Sequence, residues 1–293
     1  MVSAELPRTM SGAFSANDDF AEKARHENFP VASRFLPRDV RSNLMAIYGF
    51  ARLTDDVGDE AKGDRLTLLD ELDEQLELAA VGAATDPTFQ RLSPVIHDLS
   101  LSLDPFHRLI EANRMDQRVS SYQTFDDLVE YCMLSAAPVG EMVLGVFGLS
   151  SPERIELSDK VCIALQLVEH LQDVQEDAQR GRVYLPRDDM ERFGCVDDDL
   201  LKPHSTPSVR RLVAFEVGRA RELLAAGVPL AATLPLRPRV AVAGFTAGGV
   251  AALDSIRRAK HDVIGVRCRP SKLDIAQHMA RYFVTASLKR VRS

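Results

Sequence analysis

The chain reads as an all-α protein, and three observations carry that reading. Apolar residues recur at helical spacing between loop signals, as in Leu66, Leu69, Leu72 and Leu76. No run alternates apolar and polar side chains as a half-buried strand does. Pro37, Thr124 and Pro152 stand where helices would begin. No repeat of roughly 20–50 residues breaks the pattern. The expectation is one domain over residues 17–293, after a flexible segment of residues 1–16, with about ten or more helices.

Taken in order, the helical pattern begins at Phe20. A break at Phe35-Leu36-Pro37 is followed by a helix with Pro near its first turn and Asp39 early in it. That helix carries Leu44, Ile47, Tyr48 and Ala51, and weakens at Gly58 and Gly63. Leu66 to Ala80 is an amphipathic helix with its charges on the other face. After a loop from Val81 to Pro87 come helices over Phe89–Leu101 and Phe106–Met115, parted by Asp104-Pro105. Thr124 precedes an acidic residue by three positions, an N-cap signal. The helix it opens runs through Tyr131 and Cys132 to Gly140, with a kink at Pro138. Ser151-Pro152-Glu153 opens the helix that leads into Leu165 to Pro186. Arg187 to Pro207 is polar and turn-rich, and Asp197-Asp198-Asp199 reads as a solvated loop. Helices then cover Ser208–Ala226, Ala241–Lys260 and a basic tail over 271–292.

Composition excludes several classes. A net charge of −7 disfavours non-specific nucleic-acid binding. Cys132, Cys162, Cys195 and Cys268 form no CxxC pair, so neither a zinc site nor a disulfide frame is expected, and the cytoplasm is the default location. The first residues lack a signal-peptide pattern. No apolar run is expected to reach the ~20 residues that span a bilayer. The apolar region from Leu223 to Leu253 is broken by Pro229, Pro235 and Pro238. It suits either a greasy interior or contact with a membrane surface. The terminal charges Lys289, Arg290 and Arg292 suit a peripheral membrane contact or a plain solvated face.

The chemistry concentrates in two acidic stretches. Asp55 and Asp59 are four apart, as are Asp173 and Asp177, and that spacing puts each pair on one side of a helix. Asp56 adds a carboxylate to the first stretch, and Glu169 stands four before Asp173. A single DDxxD would read as a solvated face. Two of them, the second running into Arg180-Gly181-Arg182 and Tyr184, make a sharper signal. Carboxylates packed this densely raise one another's pKa. Mg²⁺ removes the conflict, since it takes oxygen ligands, keeps waters and bridges to phosphates. Arg52 and Arg182 would then contact phosphate oxygens or, on the plainer reading, form surface ion pairs.

The segments HENFPVASRFLP (26–37), YGFARLTDDVGDE (48–60), YCMLSAAPVGEM (131–142) and LVEHLQDVQEDAQRGRVYLP (167–186) resemble the squalene/phytoene synthase family. The likeness runs from about Asn17 to Arg290 with its anchors in order. NFPVAS and EHLQDVQED resemble its hydroxysqualene synthase subgroup from bacterial hopanoid pathways. The resemblance implies an all-α isoprenoid synthase bundle around a central cavity. It implies Mg²⁺ on Asp55, Asp59, Asp173 and Asp177 with Asp56 nearby, and a prenyl diphosphate as substrate. It places Tyr48, Arg52, Tyr131, Gln166, Arg182 and Tyr184 around the diphosphate or a carbocation. His26 and Phe29 match an N-terminal contact segment. Gly140 matches a small residue that opens the cavity, and Arg267 and Lys272 match basic positions near the C-terminus.

Three departures narrow the expected reaction. Glu169 stands where the family's head-to-head synthases usually carry Asn, Gln172 where an Arg often precedes the second motif, and Gly249 where squalene-type enzymes tend to have Tyr. The first adds negative charge and the second removes a cation. Both argue against condensing two diphosphates. They suit a lyase that ionises presqualene diphosphate and admits water to give hydroxysqualene, with Glu169 as a candidate for handling that water. A condensing prenyl synthase and a non-catalytic helical scaffold are the competing readings.

Overall fold

In the computed structural model, residues 36–290 are described, with side chains described through Arg281. His26 and Phe29 lie outside the described residues, as do the helix expected from Phe20 and the flexible segment 1–16. So do the side chains of Lys289, Arg290 and Arg292.

Among the described residues there are thirteen α-helices and no strand. One parallel bridge joins Ser121 to Val183. The described residues group into two compact units that divide between Leu103 and Asp104.

The first unit contains α1 (Arg38–Glu60), α2 (Arg65–Ala80) and α3 (Pro87–Leu99). Pro37 precedes the first turn of α1, where its missing N–H costs nothing. Asp64 and Asp86 cap α2 and α3 by accepting backbone N–H groups two and three residues on, each worth about 1 kcal/mol. Leu69, Leu72 and Leu76 of α2 are fully buried. So are Phe50 of α1 and Phe89 of α3, whose rings meet edge to face at 5.7 Å.

The second unit begins with α4 (Asp104–Asp116), α5 (Phe125–Ser135), α6 (Ala137–Val146), α7 (Pro152–Gln172) and α8 (Val174–Gln179). The short α9 (Arg187–Phe193) and α10 (Asp197–Leu200) follow. The unit ends with α11 (Pro207–Gly227), a 3₁₀ turn (Val228–Thr233), α12 (Leu236–Arg258) and α13 (Lys272–Arg290). Thr124 and Asp127 form the capping box that the sequence signals. The core is the seam between α7 and α11. Val161, Ala164 and Val168 join Leu212, Val213 and Leu224 in one buried cluster. Gly227 lets the helices close, since a Cβ there would come within 2.5 Å of Val161 and 3.0 Å of the Leu157 carbonyl oxygen.

Four expectations need correction. The chain breaks fully at Ala136, so Pro138 opens a new helix in its first turn and does not merely kink an old one. The stretch after Pro186 is partly helical. Asp197 to Asp199 form the first turn of α10, where Asp199 is buried, accepts the Val196 N–H and pairs with Lys202. An acidic side chain three residues into a helix caps its start, which simple charge counting overlooks. Helix α12 begins at Leu236, earlier than expected, because Pro238 fits a first turn. Finally, among the described residues two stretches are long and apolar enough to cross a bilayer by length and composition, Phe125–Val146 and Leu236–Arg258. The first contains the break at Ala136, and 61% of the apolar window of the second is buried inside the protein.

Candidate active site

In the first unit the acidic motif lies on the last two turns of α1. Asp55 and Asp59 are exposed and one turn apart, as their spacing requires. Asp56 points the other way. It is buried and its carboxylate meets the Arg52 guanidinium at 2.7 Å. The pair Asp55/Asp59 is therefore the open half of the motif, and Asp56 is the anchor of Arg52. Asp56, expected near the metal pair, is thus turned toward Arg52. Burial works against the Arg52 charge, but Asp56 and then Asp55 outweigh it and hold its pKa above the ordinary value. Tyr48, one turn before Arg52, is half-buried and adds to the same field. Arg65 closes the helix end. Its guanidinium donates to the carbonyls of Gly58, Asp59 and Ala61 at 2.8–3.0 Å, satisfying groups a helix C-terminus leaves open. Arg65 was not among the expected residues, although a cation just past a helix end is the signal for it.

In the second unit the acidic motif straddles a helix break. Asp173 is the junction between α7 and α8, with φ −109° and ψ 15°. The ladder survives the break. Asp173 donates its N–H to the Glu169 carbonyl at 3.0 Å, and Asp177 donates to the Asp173 carbonyl at 2.9 Å. Glu169, Asp173 and Asp177 thus keep their one-turn spacing. The chain then turns at Gly181, whose φ of 80° lies in the left-handed region that favours glycine. The Arg182 N–H folds back to the Asp177 carbonyl at 2.9 Å, and the Val183 N–H reaches the Ser120 carbonyl at 2.8 Å. This turn is what lays Arg182 and Tyr184 beside the acidic helix.

Electrostatics set this cluster apart. Burial, then the neighbouring Asp173, pushes the Asp177 carboxyl up to about 7, against Arg180 and Arg182. Asp173 is also raised, by partial desolvation and then Glu176, against Arg269, Arg180 and Arg267. Two carboxylates that resist ionisation despite flanking arginines fit a divalent cation, which supplies the missing charge and accepts oxygen donors. Among the described residues no three His, Cys, Asp or Glu side chains gather closely enough to hold a metal unaided. Each acid pair is what Mg²⁺ takes from a protein when water and phosphate supply the rest.

Beside Asp173 lies a cleft of about 550 Å³, walled by Glu176, Arg180, Arg267 and Arg269 among others. Arg267, one of the basic positions the resemblance named, is among the cleft residues. Lys272, in the first turn of α13, is exposed and is not among the cleft residues. Arg269 was not foreseen, because nothing local marks it. Gln172 also lines the cleft, and its amide donates to the Cys268 carbonyl.

Aromatic rings cover the other side. Tyr131 is buried and its hydroxyl donates to Asp116 at 2.9 Å. Tyr122, Tyr131 and Tyr184 lie with ring centroids 5.2–5.9 Å apart. Desolvation raises all three phenols, so they stay protonated. His170 stacks on Tyr184, and burial pushes its pKa down to about 3, so the ring is neutral. Gln166 contacts this histidine at 3.2 Å. Tyr122, His170 and Asp116 were not foreseen, since each arrives from a different element.

Two small residues lie at close helix contacts. A Cβ on Gly140 would fall 2.2 Å from the Ser158 hydroxyl and 2.7 Å from the Cys162 sulfur. The room beside Gly140 is therefore taken by α7, which its missing side chain lets approach closely. The space beside Gly249 is taken by Leu165 and Leu224, which would lie 2.6 and 3.2 Å from a methyl at that position.

The chain matches the family described as Squalene/phytoene synthase over residues 23–274. Hydroxysqualene synthase of Zymomonas mobilis is 35% identical over 202 residues, 68% of this chain and 67% of that protein. Phytoene synthase of Arthrospira platensis is 35% identical over 211 residues, 67% of this chain and 68% of that protein. The crystal structure of squalene synthase HpnC from Alicyclobacillus acidocaldarius shares 44% identity at a TM-score of 0.76, covering 83% of this chain and 94% of that one.

Proposed function

The chain belongs to the squalene/phytoene synthase family, with its all-α isoprenoid synthase fold, and from that premise we propose that it is a hydroxysqualene synthase. The family's enzymes act on prenyl diphosphates. On this reading the substrate is presqualene diphosphate, the first step is loss of diphosphate, and the last is capture of the rearranged cation by water.

The observation that carries the reading is Gln172. Where condensing relatives often carry an arginine, this side chain is neutral and spent on the Cys268 carbonyl. One fewer cation faces the site, which suits one diphosphate better than two. Glu169 beside it adds negative charge that would repel a second. The likeness to the Zymomonas enzyme and to HpnC supports the same choice.

Each part of the site has a task. Mg²⁺ on Asp55, Asp59, Asp173 and Asp177 would neutralise the charge that develops on the departing diphosphate. Arg182 and Arg267, with Arg269, would hold the phosphate oxygens, and the fixed guanidinium fork suits them. Tyr131 and Tyr184 belong to an aromatic cluster of the kind that stabilises a cation, with one face of Tyr184 already occupied by His170. Glu169 is the candidate to orient the captured water or take its proton. A Glu169→Asn variant that keeps both alcohol yield and rate removes that role. The long apolar product fits release at the inner face of the cell membrane, with the protein bound peripherally, in squalene and hopanoid synthesis.

Product analysis tests the proposal. Purified protein is given presqualene diphosphate or farnesyl diphosphate, each with and without Mg²⁺, in ¹⁸O-labelled water. The expected result is a Mg²⁺-dependent labelled alcohol from the first substrate and no product from the second. Release of a cyclopropyl diphosphate from farnesyl diphosphate would instead establish the condensing synthase, a reading that the equal likeness to phytoene synthase keeps in view.

A further inference from the structure

His170 occupies a place that packing alone does not explain. It sits on the last turn of α7, between Gln166 and the acidic motif, with its side chain 11% exposed. Its ring lies face to face with Tyr184, centroids 3.7 Å apart and planes 13° from parallel. A flat stack of this kind fixes the ring plane, because rotation about the ring bond would drive an edge into the tyrosine. The remaining freedom is which nitrogen carries the proton. Gln166 decides that. Its amide nitrogen lies 3.2 Å from ring Nε2, and an amide nitrogen only donates. Ring Nε2 therefore accepts, and the proton of the neutral ring sits on Nδ1. Nδ1 lies 3.9 Å from Oδ2 of Asp177. That is longer than a hydrogen bond, and a closing of about 1 Å would make it one.

We propose that His170 is a positioning residue, locked by Gln166 and Tyr184 so that its Nδ1–H aims one oxygen of Asp177 and leaves the other to face the ligand. The inference rests on Asp177 as part of the diphosphate and metal site, and it gives Gln166 a task other than touching substrate. Groups that orient a ligating carboxylate or histidine govern affinity without contacting the ligand. The arrangement also ties the aromatic wall to the acidic helix. Whatever moves Tyr184 moves the ring that steadies Asp177.

Three measurements decide it. Long-range ¹H–¹⁵N correlation on metal-free, histidine-labelled protein reads the tautomer directly, with the His170 signals assigned by their loss in His170→Asn. The expected form is Nδ1–H in wild type, moving to Nε2–H in Gln166→Glu, where the new carboxylate accepts. An Nε2–H wild-type ring overturns the proposal. Binding of Mn²⁺ with inorganic diphosphate, followed by electron paramagnetic resonance, is the second readout. His170→Phe keeps the stack and loses the donor, and its Mn²⁺ affinity is expected to fall roughly tenfold. His170→Asn restores a donor near Nδ1 and is expected to recover most of the loss. Equal affinity in wild type and His170→Phe overturns the proposal, as does a loss that His170→Asn does not repair. Third, turnover of His170→Phe should lose kcat at nearly constant KM, and a change in KM alone overturns it. Failure of presqualene diphosphate to react in wild type would sink the assigned reaction while leaving the tautomer and Mn²⁺ results standing.

Discussion

Asp177→Asn should stabilise the metal-free protein. The wild-type carboxyl is pushed from 3.8 up to about 7, chiefly by burial and then by Asp173. This is the reverse of the usual carboxylate case. Between the two pKa values the folded chain holds a proton that the unfolded chain has lost. Stability therefore falls as pH rises through that window, and the full cost is felt above it. At about 1.4 kcal/mol per pH unit, the displacement is worth about 4 kcal/mol. Local relaxation and water entry reduce such penalties, so a gain of about 2 kcal/mol or more is expected for the neutral isostere at pH 8. For a chain of this size a gain of about 2 kcal/mol raises Tm by roughly 3 °C. The assay is thermal melting in EDTA from pH 4 to pH 8. The gain should shrink to well under about 1 kcal/mol near pH 4, where the folded carboxyl is protonated and the unfolded one about half so. Added Mg²⁺ with inorganic diphosphate should raise the wild-type Tm and leave the variant nearly unmoved. An Asn variant no more stable than wild type at pH 8, or a gain independent of pH, would refute the idea that the fold stores charge strain here.

Other outcomes follow from the same geometry. Gly140→Ala should destabilise by about 1–3 kcal/mol in urea, because its methyl would strike Ser158 and Cys162, and trimming both to Ala should restore much of the loss. Gly249→Tyr should cost at least about as much, since Leu165 and Leu224 hold the space, and a neutral result would mean that α12 moves freely. Arg219→Leu should cost about 3–5 kcal/mol, because Arg219 pairs with the buried Asp189 and Glu216 and its loss strands both. Glu216 is already pushed up to about 7 by burial, so that penalty should shrink below pH 6, as denaturant titrations can show.

Local signals mark the helices and fail only where a contact from elsewhere intervenes. Thr124 and Asp127 cap α5 as expected, because a capping box is complete within four residues. The break at Ala136 is legible only as a kink, since a proline is compatible with either until its neighbours are placed. Asp199 looks like one of three solvated acids, and becomes a buried cap because α10 forms around it.

What the amino-acid order determined by itself was everything governed by the helical period. The carboxylates of each acidic stretch fall one turn apart, and Gly181 permits the turn that returns Arg182 to Asp177. These are relations among residues a few positions apart, and backbone geometry imposes them wherever a helix or turn forms. Tertiary structure alone decided which of those side chains are open. It drew Gln172 to the carbonyl of Cys268, set Arg269 beside Asp173, and stacked His170 on Tyr184. Partners so far apart in the chain meet only through the packing of several helices at once. No short-range rule constrains that packing, so no short-range rule could reveal it.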